Sequence, residues 1–427
     1  MPLPRNTFYK ISFSFFGSLI CFSLFNVSCN SANTATRIIS KDSVTTLNLP
    51  APEPVTAAEA ARIKANSGLW YDSVLKLKGF NGGMLVAKNG NIVFEQYRGT
   101  AHLPGNDTIT ENSPMHIASI SKTFTAMAVL KLQQDGKLNI DDEFSKYFPA
   151  FNYPGITIRS LLSHRSGLPN YNYFMETLGW DKTRYVSNED VLNYLITRKA
   201  ELTDVQTPNL HFNYCNTNYA LLALLIEKVT GTTYPDHINK TFFIPLQMTN
   251  SYVFTLADTN RAIPSYNWRG GLEPFTFLDQ VYGDKNIYTT PRDLLTWDRA
   301  LSSNLIFKQE MLDQAYAPYS NERPGIRNYG LGWRMNVFPT GNKMIYHNGW
   351  WHGSNSTFIR LLNEKATIII IGNKFTRSVY HAKILTSIFG DYYVPEEDEE
   401  PGIIKDLVSA NDSTPVKVKK IRAKTRR

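Results

Sequence analysis

After residue 56 the chain alternates between two hydrophobic rhythms, and their order predicts its architecture. Met84-Leu85-Val86-Ala87 and Ile92-Val93-Phe94 flank Asn89-Gly90. Apolar runs on either side of an Asn-Gly pair predict a β-hairpin over 82–97, because both residues tolerate the left-handed backbone of a tight turn. Upstream, Ala57 to Lys76 has no interior proline and reads as a helix, with Ala58, Ala61, Leu69 and Leu75 among its apolar positions. Between Pro114 and Gly136, Phe124, Met127, Ala128, Leu130 and Leu132 fall at helical spacing and predict a buried helix that stops at the glycine. Helical patterns then dominate to about Met248, over Ile158 to Leu162, Asn188 to Arg198 and the apolar Tyr219 to Val229. A further helix is predicted over 291–304, with Pro291 in its first turn. Strand character returns at 330–337, 343–347, 356–362 and 366–372, before a last helix from Arg377 to Phe389. Strands from both ends of the body thus bracket a helical middle. That order predicts an α+β fold, with an antiparallel sheet built from the N- and C-terminal parts, flanking helices and an inserted helical lobe. No internal repeat of fixed period is present.

The first 28 residues read as an export signal: Arg5 and Lys10, then the mostly apolar run Ile11 to Phe25, then small or polar residues to Ser28. Asn26-Val27-Ser28-Cys29 resembles the lipoprotein cleavage box of bacterial envelope proteins, which makes Cys29 the candidate lipidation site and the membrane a partner through that anchor. Residues 29–56, rich in Ser, Thr, Asn, Ala and Pro, are expected to be a flexible tether, 57–390 the folded domain and 391–427 a charged tail. With 42% hydrophobic residues in 427, a large buried core is expected. The formal charge of +8 invites a nucleic-acid partner, but its location argues against one. Lys417, Lys419, Lys420, Arg422, Lys424, Arg426 and Arg427 crowd the C-terminus, and Arg5 and Lys10 belong to the signal, leaving the body slightly negative. Three cysteines, Cys21, Cys29 and Cys215, provide no disulfide framework.

The chemistry concentrates in three short stretches. Ser119-Ile120-Ser121-Lys122 places a hydroxyl and an amine one helical turn apart on one side. A serine hydroxyl needs an adjacent base to become a nucleophile, and lysine serves only if its surroundings lower its affinity for the proton. Tyr214-Cys215-Asn216, just ahead of an apolar helix, offers a phenol to relay a proton and an amide to hold lysine and substrate. His347-Asn348-Gly349, expected at a strand end, precedes Trp350-Trp351. Gly349 would let substrate approach the strand, and the Trp350 N–H would face an oxyanion together with that of Ser119. No G-x-S-x-G elbow and no H-E-x-x-H or Cys/His metal spacing occurs, so no metal or other cofactor is expected.

An S-x-x-K serine, a Tyr-x-Asn and a His-x-Gly follow one another in the order of the S-x-x-K, S-D-N and K-T-G set of β-lactamases and penicillin-binding proteins. The chain resembles the serine β-lactamase-related family, which includes class C β-lactamases, D-alanyl-D-alanine carboxypeptidases, D-amino-acid peptidases and β-lactamase-fold esterases. HIASISKTFTA at 116–126, ITIRSLLSHRSGLP at 156–169, FNYCNTNYALLALLIEKVTG at 212–231, GDKNIYTTPRDLLTWDRAL at 283–301 and YGLGW at 329–333 carry the resemblance across roughly 78–390. It implies a β-lactamase/transpeptidase-like fold with the active site between sheet and lobe. By the same resemblance Ser119 is the acylated nucleophile, Lys122 its base, and Tyr214 the relay to the leaving group and the deacylating water. Asn216, His347, Gly349 and Trp350 would bind substrate. His347 stands where lactamases and carboxypeptidases commonly carry Lys, and a histidine is charged only part of the time near neutral pH. The expectation is therefore an exported serine hydrolase acting on a small-molecule or peptide substrate, an ester or a D-amino-acid amide, with weak or no action on β-lactams. A binding or sensor module that is acylated without turnover is the alternative.

Overall fold

The computed structural model describes residues 45–392; the expected export signal, Cys29 and nearly all of the charged tail lie outside them. In chain order, α1 (Ala57–Trp70) leads into the hairpin β1 (Gly82–Lys88) and β2 (Asn91–Arg98), and β3 (Met115–His116) precedes α2 (Ser121–Gln134). The lobe follows as α3 (Ile158–Leu162), α4 (Tyr171–Thr177), α5 (Asn188–Thr197), α6 (Asn216–Thr230) and α7 (Tyr234–Ile238). Four short strands, β4 (Tyr252–Val253), β5 (Ser265–Tyr266), β6 (Leu272–Glu273) and β7 (Ile287–Thr289), lead to α8 (Pro291–Leu301) and α9 (Gln309–Ala315). The chain closes with β8 (Arg327–Tyr329), β9 (Arg334–Val337), β10 (Lys343–Trp351), β11 (Ser354–Leu361), β12 (Ala366–Gly372) and α10 (Ala382–Leu385).

Seven strands form one antiparallel sheet in the order β2-β1-β12-β11-β10-β9-β8, so the N-terminal hairpin pairs with the last strand. This is the architecture that the strand–helix–strand order predicts. Asn89 and Gly90 turn the first hairpin at φ 54° and 78°. The central strands read as continuous apolar runs because helices cover both faces. Leu85, Ile345, Phe358, Ile369 and Ile371 point into the core shared with the helical lobe. Met84, Val86, Met344, Ile359, Ile368 and Ile370 face a second core that includes Ile63 and Tyr71 from the N-terminal helical segment. Local signals set the helix ends: Thr290 accepts from the Asp293 N–H ahead of Pro291, Ser187 and Asp190 form a capping box, and Gly231 at φ 69° stops α6.

Four expectations need correction. The single strand over 330–337 is a hairpin, β8 and β9, folded around Gly330–Trp333; Gly332 adopts φ 83°, and a Cβ there would lie 2.3 Å from that of Ala126 on α2. The last helix is broken into a 3₁₀ turn at Arg377–His381, α10 and a second 3₁₀ turn at Thr386–Ile388. β10 runs on to Trp351, so His347 lies inside a strand and not at its end. Finally, residues 45–56 of the expected tether lie against the body: Leu47 N–H donates to the Pro245 carbonyl (2.8 Å), Glu53 N–H to that of Asn89 (3.1 Å), and Arg299 to that of Pro50 (2.7 Å). Leu47 and Leu49 pack on the core, which gives this strap a reason to stay. Among the described residues no helix is long and apolar enough to cross a membrane.

Candidate active site

Ser119 sits in a 3₁₀ turn, Ala118–Ile120, that runs directly into α2. Ala118 precedes it at φ 48°, a strained backbone for a residue with a Cβ, held by buried neighbours on both sides. The turn leaves Ser119 half-buried, while Ile117, Ala118 and Ile120 are fully buried. One turn on, Lys122 is wholly buried. Its Nζ lies 3.1 Å from Ser119 Oγ and donates to Asn216 Oδ1 (2.8 Å) and to the backbone carbonyl of Asp284 (2.8 Å). A neutral amine has two N–H donors and one lone pair. Two donations to fixed oxygens would thus aim the lone pair at the serine hydroxyl.

The Tyr214–Asn216 stretch is carried by the start of α6 and braced by the 164–169 loop. His164 Nδ1 accepts from Cys215 N–H at 3.2 Å, its ring lies 4.4 Å from that of Tyr214, and Ser166 donates to Asn218 (2.6 Å). This puts the Tyr214 ring 5.0 Å from Lys122 Nζ. Asn216 Nδ2 donates onward to Asn172 Oδ1 (3.3 Å), a residue with no sequence signal of its own.

His347 departs from its expected role. It is completely buried, with Nδ1 2.7 Å from its neighbour's carbonyl, Asn348 O, and Nε2 3.3 Å from Tyr329 Oη. Burial first, then the charge of Arg334, holds its pKa well below 6.5. It is a neutral residue that cannot grip a carboxylate by charge. Arg334, partly exposed on β9, brings a cation near: its guanidinium carbon lies 4.8 Å from the Tyr214 ring centroid. Arg334 lies one residue beyond the YGLGW stretch.

Gly349 is also corrected. A Cβ there would meet Ile117 O at 2.2 Å and Ser356 Oγ at 2.3 Å, so the glycine admits the chain that carries Ser119. The paired tryptophans separate because strand neighbours point to opposite faces. Trp350 turns its ring to Phe375 on the far face, whereas Trp351 donates to Asp279 (2.5 Å) and packs on the lobe core. Only the backbone of Trp350 can serve the site. β9 pairs with Lys343–Tyr346 alone, so no strand among the described residues covers the edge of β10 from His347 to Trp351 on that side.

The model of the beta-lactamase family matches residues 76–389. The chain belongs to that family. This β-lactamase-family serine hydrolase is 30% identical over 339 residues to penicillin-binding protein 4* of Bacillus subtilis, covering 74% of each chain. It is 27% identical over 311 residues to protein flp of Staphylococcus aureus, covering 68% of this chain and 59% of that one. Among solved structures, a penicillin-binding protein from Bacillus halodurans superposes with TM-score 0.66 at 21% identity, over 74% of this chain and 98% of that one. A D-amino acid amidase from Ochrobactrum anthropi SV3 superposes with TM-score 0.62 at 22% identity, over 76% and 97%. These last two likenesses establish the β-lactamase/transpeptidase-like fold.

Three buried neutral histidines predict that the folded state loses stability in acid. Burial lowers His116 to about 3 and puts His164 and His347 well below 6.5. Unfolded histidines take up protons near pH 6.5 that these folded ones refuse. Their stabilisation is therefore complete above that pH and is lost progressively as pH falls from there to their folded values, about 2 kcal/mol of it for His116 by pH 5. A Tm falling steadily from pH 7 to pH 4.5 is expected; a flat profile would contradict it.

Proposed function

We propose that this protein is an exported serine hydrolase that removes the residue at the carboxylate end of a D-amino-acid peptide through an acyl-enzyme on Ser119. The observation carrying this reading is the meeting of Ser119, Lys122, Asn216 and Tyr214 with the Arg334 cation. Lys122 takes the hydroxyl proton as Ser119 Oγ attacks the scissile carbonyl. The oxyanion accepts from the N–H groups of Ser119 and Trp350, each donor worth about 3 kcal/mol. A two-residue turn at His352-Gly353 makes Trp351–Ser354 a closely bonded pair, which turns the Trp350 N–H toward the uncovered edge of β10. Tyr214 relays the proton to the leaving nitrogen and then helps draw one from the water that releases the acyl group. Asn216 holds Lys122 and the substrate amide. Arg334, in place of a neutral His347, receives the terminal carboxylate, which favours a peptide over an uncharged ester. Kinship to proteins named penicillin-binding protein, and the shared fold of a D-amino acid amidase, support the same substrate class.

The test compares an N-acetylated tripeptide ending in D-alanyl-D-alanine, its C-terminal amide, nitrophenyl acetate and a chromogenic cephalosporin. The free-carboxylate peptide is expected to have the highest kcat/KM. Arg334→Met should lower that value about 30-fold, as loss of a charged hydrogen bond does, and leave nitrophenyl acetate within threefold. Equal turnover of peptide acid and amide would overturn the substrate assignment.

A further inference from the structure

The turn 283–286 carries a charged cluster that the steps above do not use. Gly283 at φ 93° passes so close to α6 that a Cβ would lie 2.4 Å from Tyr219 O, and its carbonyl accepts from Thr125 Oγ1 on α2 (2.6 Å). Asn286 closes the turn at φ 80°, its amide donating to the carbonyls of Asp279 (2.7 Å) and Val281 (2.9 Å). Between them, the Asp284 carbonyl accepts from Lys122, and Asp284 and Lys285 are both buried, at 1% and 2% exposure. Lys285 Nζ donates to Tyr171 Oη, lies 3.6 Å from Asp284 Oδ1 and sits 4.7 Å from the Trp351 ring centroid. Tyr171 Oη in turn donates to Asp284 Oδ2 (3.0 Å). A second buried lysine thus stands one residue from the carbonyl that holds the first.

A buried ion pair is costly, and a lone buried carboxylate on Asp284, the residue whose carbonyl holds Lys122, would favour Lys122 as an ammonium and remove the base. We infer that Lys285 is a positioning residue: its buried ammonium balances the Asp284 carboxylate and keeps Lys122 neutral and able to accept the Ser119 proton. This rests on Lys122 being the base, as proposed above. The other groups around the pair do not replace Lys285. Facing Lys122 are Ser119, Asn216, the phenols of Tyr214 and Tyr219, Cys215, neutral His164 and His347, and Arg334, whose guanidinium lies over the Tyr214 ring. Facing Lys285 are Tyr171, Asp284, neutral His116 and Asp279, the last already held by Trp351 and by His352 (3.0 Å). Burial lowers the pKa of Lys285 itself, Asp284 and Asp279 raise it, and Lys122 lowers it. That last repulsion is mutual, so Lys285 disfavours a proton on Lys122 to the same degree.

The test is the rate of Ser119 labelling by a fluorophosphonate from pH 5 to pH 10, which reads the base without a peptide substrate. Lys285→Met leaves Asp284 unbalanced and should move the acidic limb up by about one to two pH units, while Asp284→Asn should move it down. Lys285→Arg keeps the charge and should leave the limb in place. A structural role alone would lower the rate at every pH without moving the limb. If Lys285→Met does not fold, the downward shift in Asp284→Asn and the fixed limb in Lys285→Arg still decide. Unmoved limbs, or movement in one direction for both charge-removing variants, would overturn the inference. Undiminished labelling of Lys122→Met would instead overturn the assignment of the base.

Discussion

In a Ser119→Ala variant, covalent labelling by a fluorophosphonate is expected to vanish, and hydrolysis of nitrophenyl acetate should fall to the rate in buffer. Neither of the two serines nearest in sequence motif can substitute: Ser121 Oγ is buried and accepts from the Ile287 N–H (3.0 Å), and Ser166 is buried and bonded to Asn218. Ser119 is the half-buried hydroxyl that has an amine beside it. Lys122→Met keeps the length of the side chain and removes the base, so labelling should slow by about 10³-fold, within the range of general-base catalysis. Tyr214→Phe should retain more acylation than Lys122→Met, because a fluorophosphonate leaves with fluoride and needs no proton from the relay. Undiminished labelling of Ser119→Ala would exclude Ser119 as nucleophile. Normal labelling of Lys122→Met would remove Lys122 from the mechanism.

How much of this was legible in the sequence depended on whether the cause was local. The Asn89-Gly90 turn, the Pro291 helix start and the buried helix that carries Phe124 to Leu132 follow from residues a few positions apart, and they lie where the pattern puts them. The seven-stranded sheet was legible in outline because both of its cores leave apolar runs at the two ends of the body. What was not legible is long-range. Whether His347 is charged depends on its burial beneath Tyr329 and beside Arg334, and nothing in His-Asn-Gly reports that. The 330–337 stretch hid a turn because Leu331 and Trp333 are as apolar as strand residues, and only the contact of Gly332 with α2 bends them apart. Lys285 carried a visible signal, two adjacent charges inside a recognised stretch. Their significance came from the Asp284 carbonyl meeting Lys122, 162 residues away.

Gly349→Ala is expected to damage the site through the backbone and not through a lost contact. The added carbon would lie 2.2 Å from Ile117 O and 2.3 Å from Ser356 Oγ, and those two atoms are themselves hydrogen-bonded to each other at 2.7 Å. Rotating Ser356 would relieve one overlap at the cost of that bond. The carbonyl cannot rotate, because Ile117 N–H is already bound to Ile287 O (3.0 Å) and the next residue, Ala118, is strained. The relief that remains is a shift of about 1 Å between the 117–119 segment and β10, which separates the two N–H groups proposed to hold the oxyanion. A misplacement of that size costs on the order of 100-fold in rate, and the overpacking itself about 1–3 kcal/mol. Gly68→Ala is the control: it lies within α1, meets only Phe94 at 3.7 Å, and should leave labelling unchanged with equal or greater stability. Measuring Tm and labelling rate together separates the effects, since overpacking that spared Ser119 would lower Tm alone. A Gly349→Ala enzyme with wild-type labelling would show that the close approach of Ile117 to β10 does not set the position of the nucleophile.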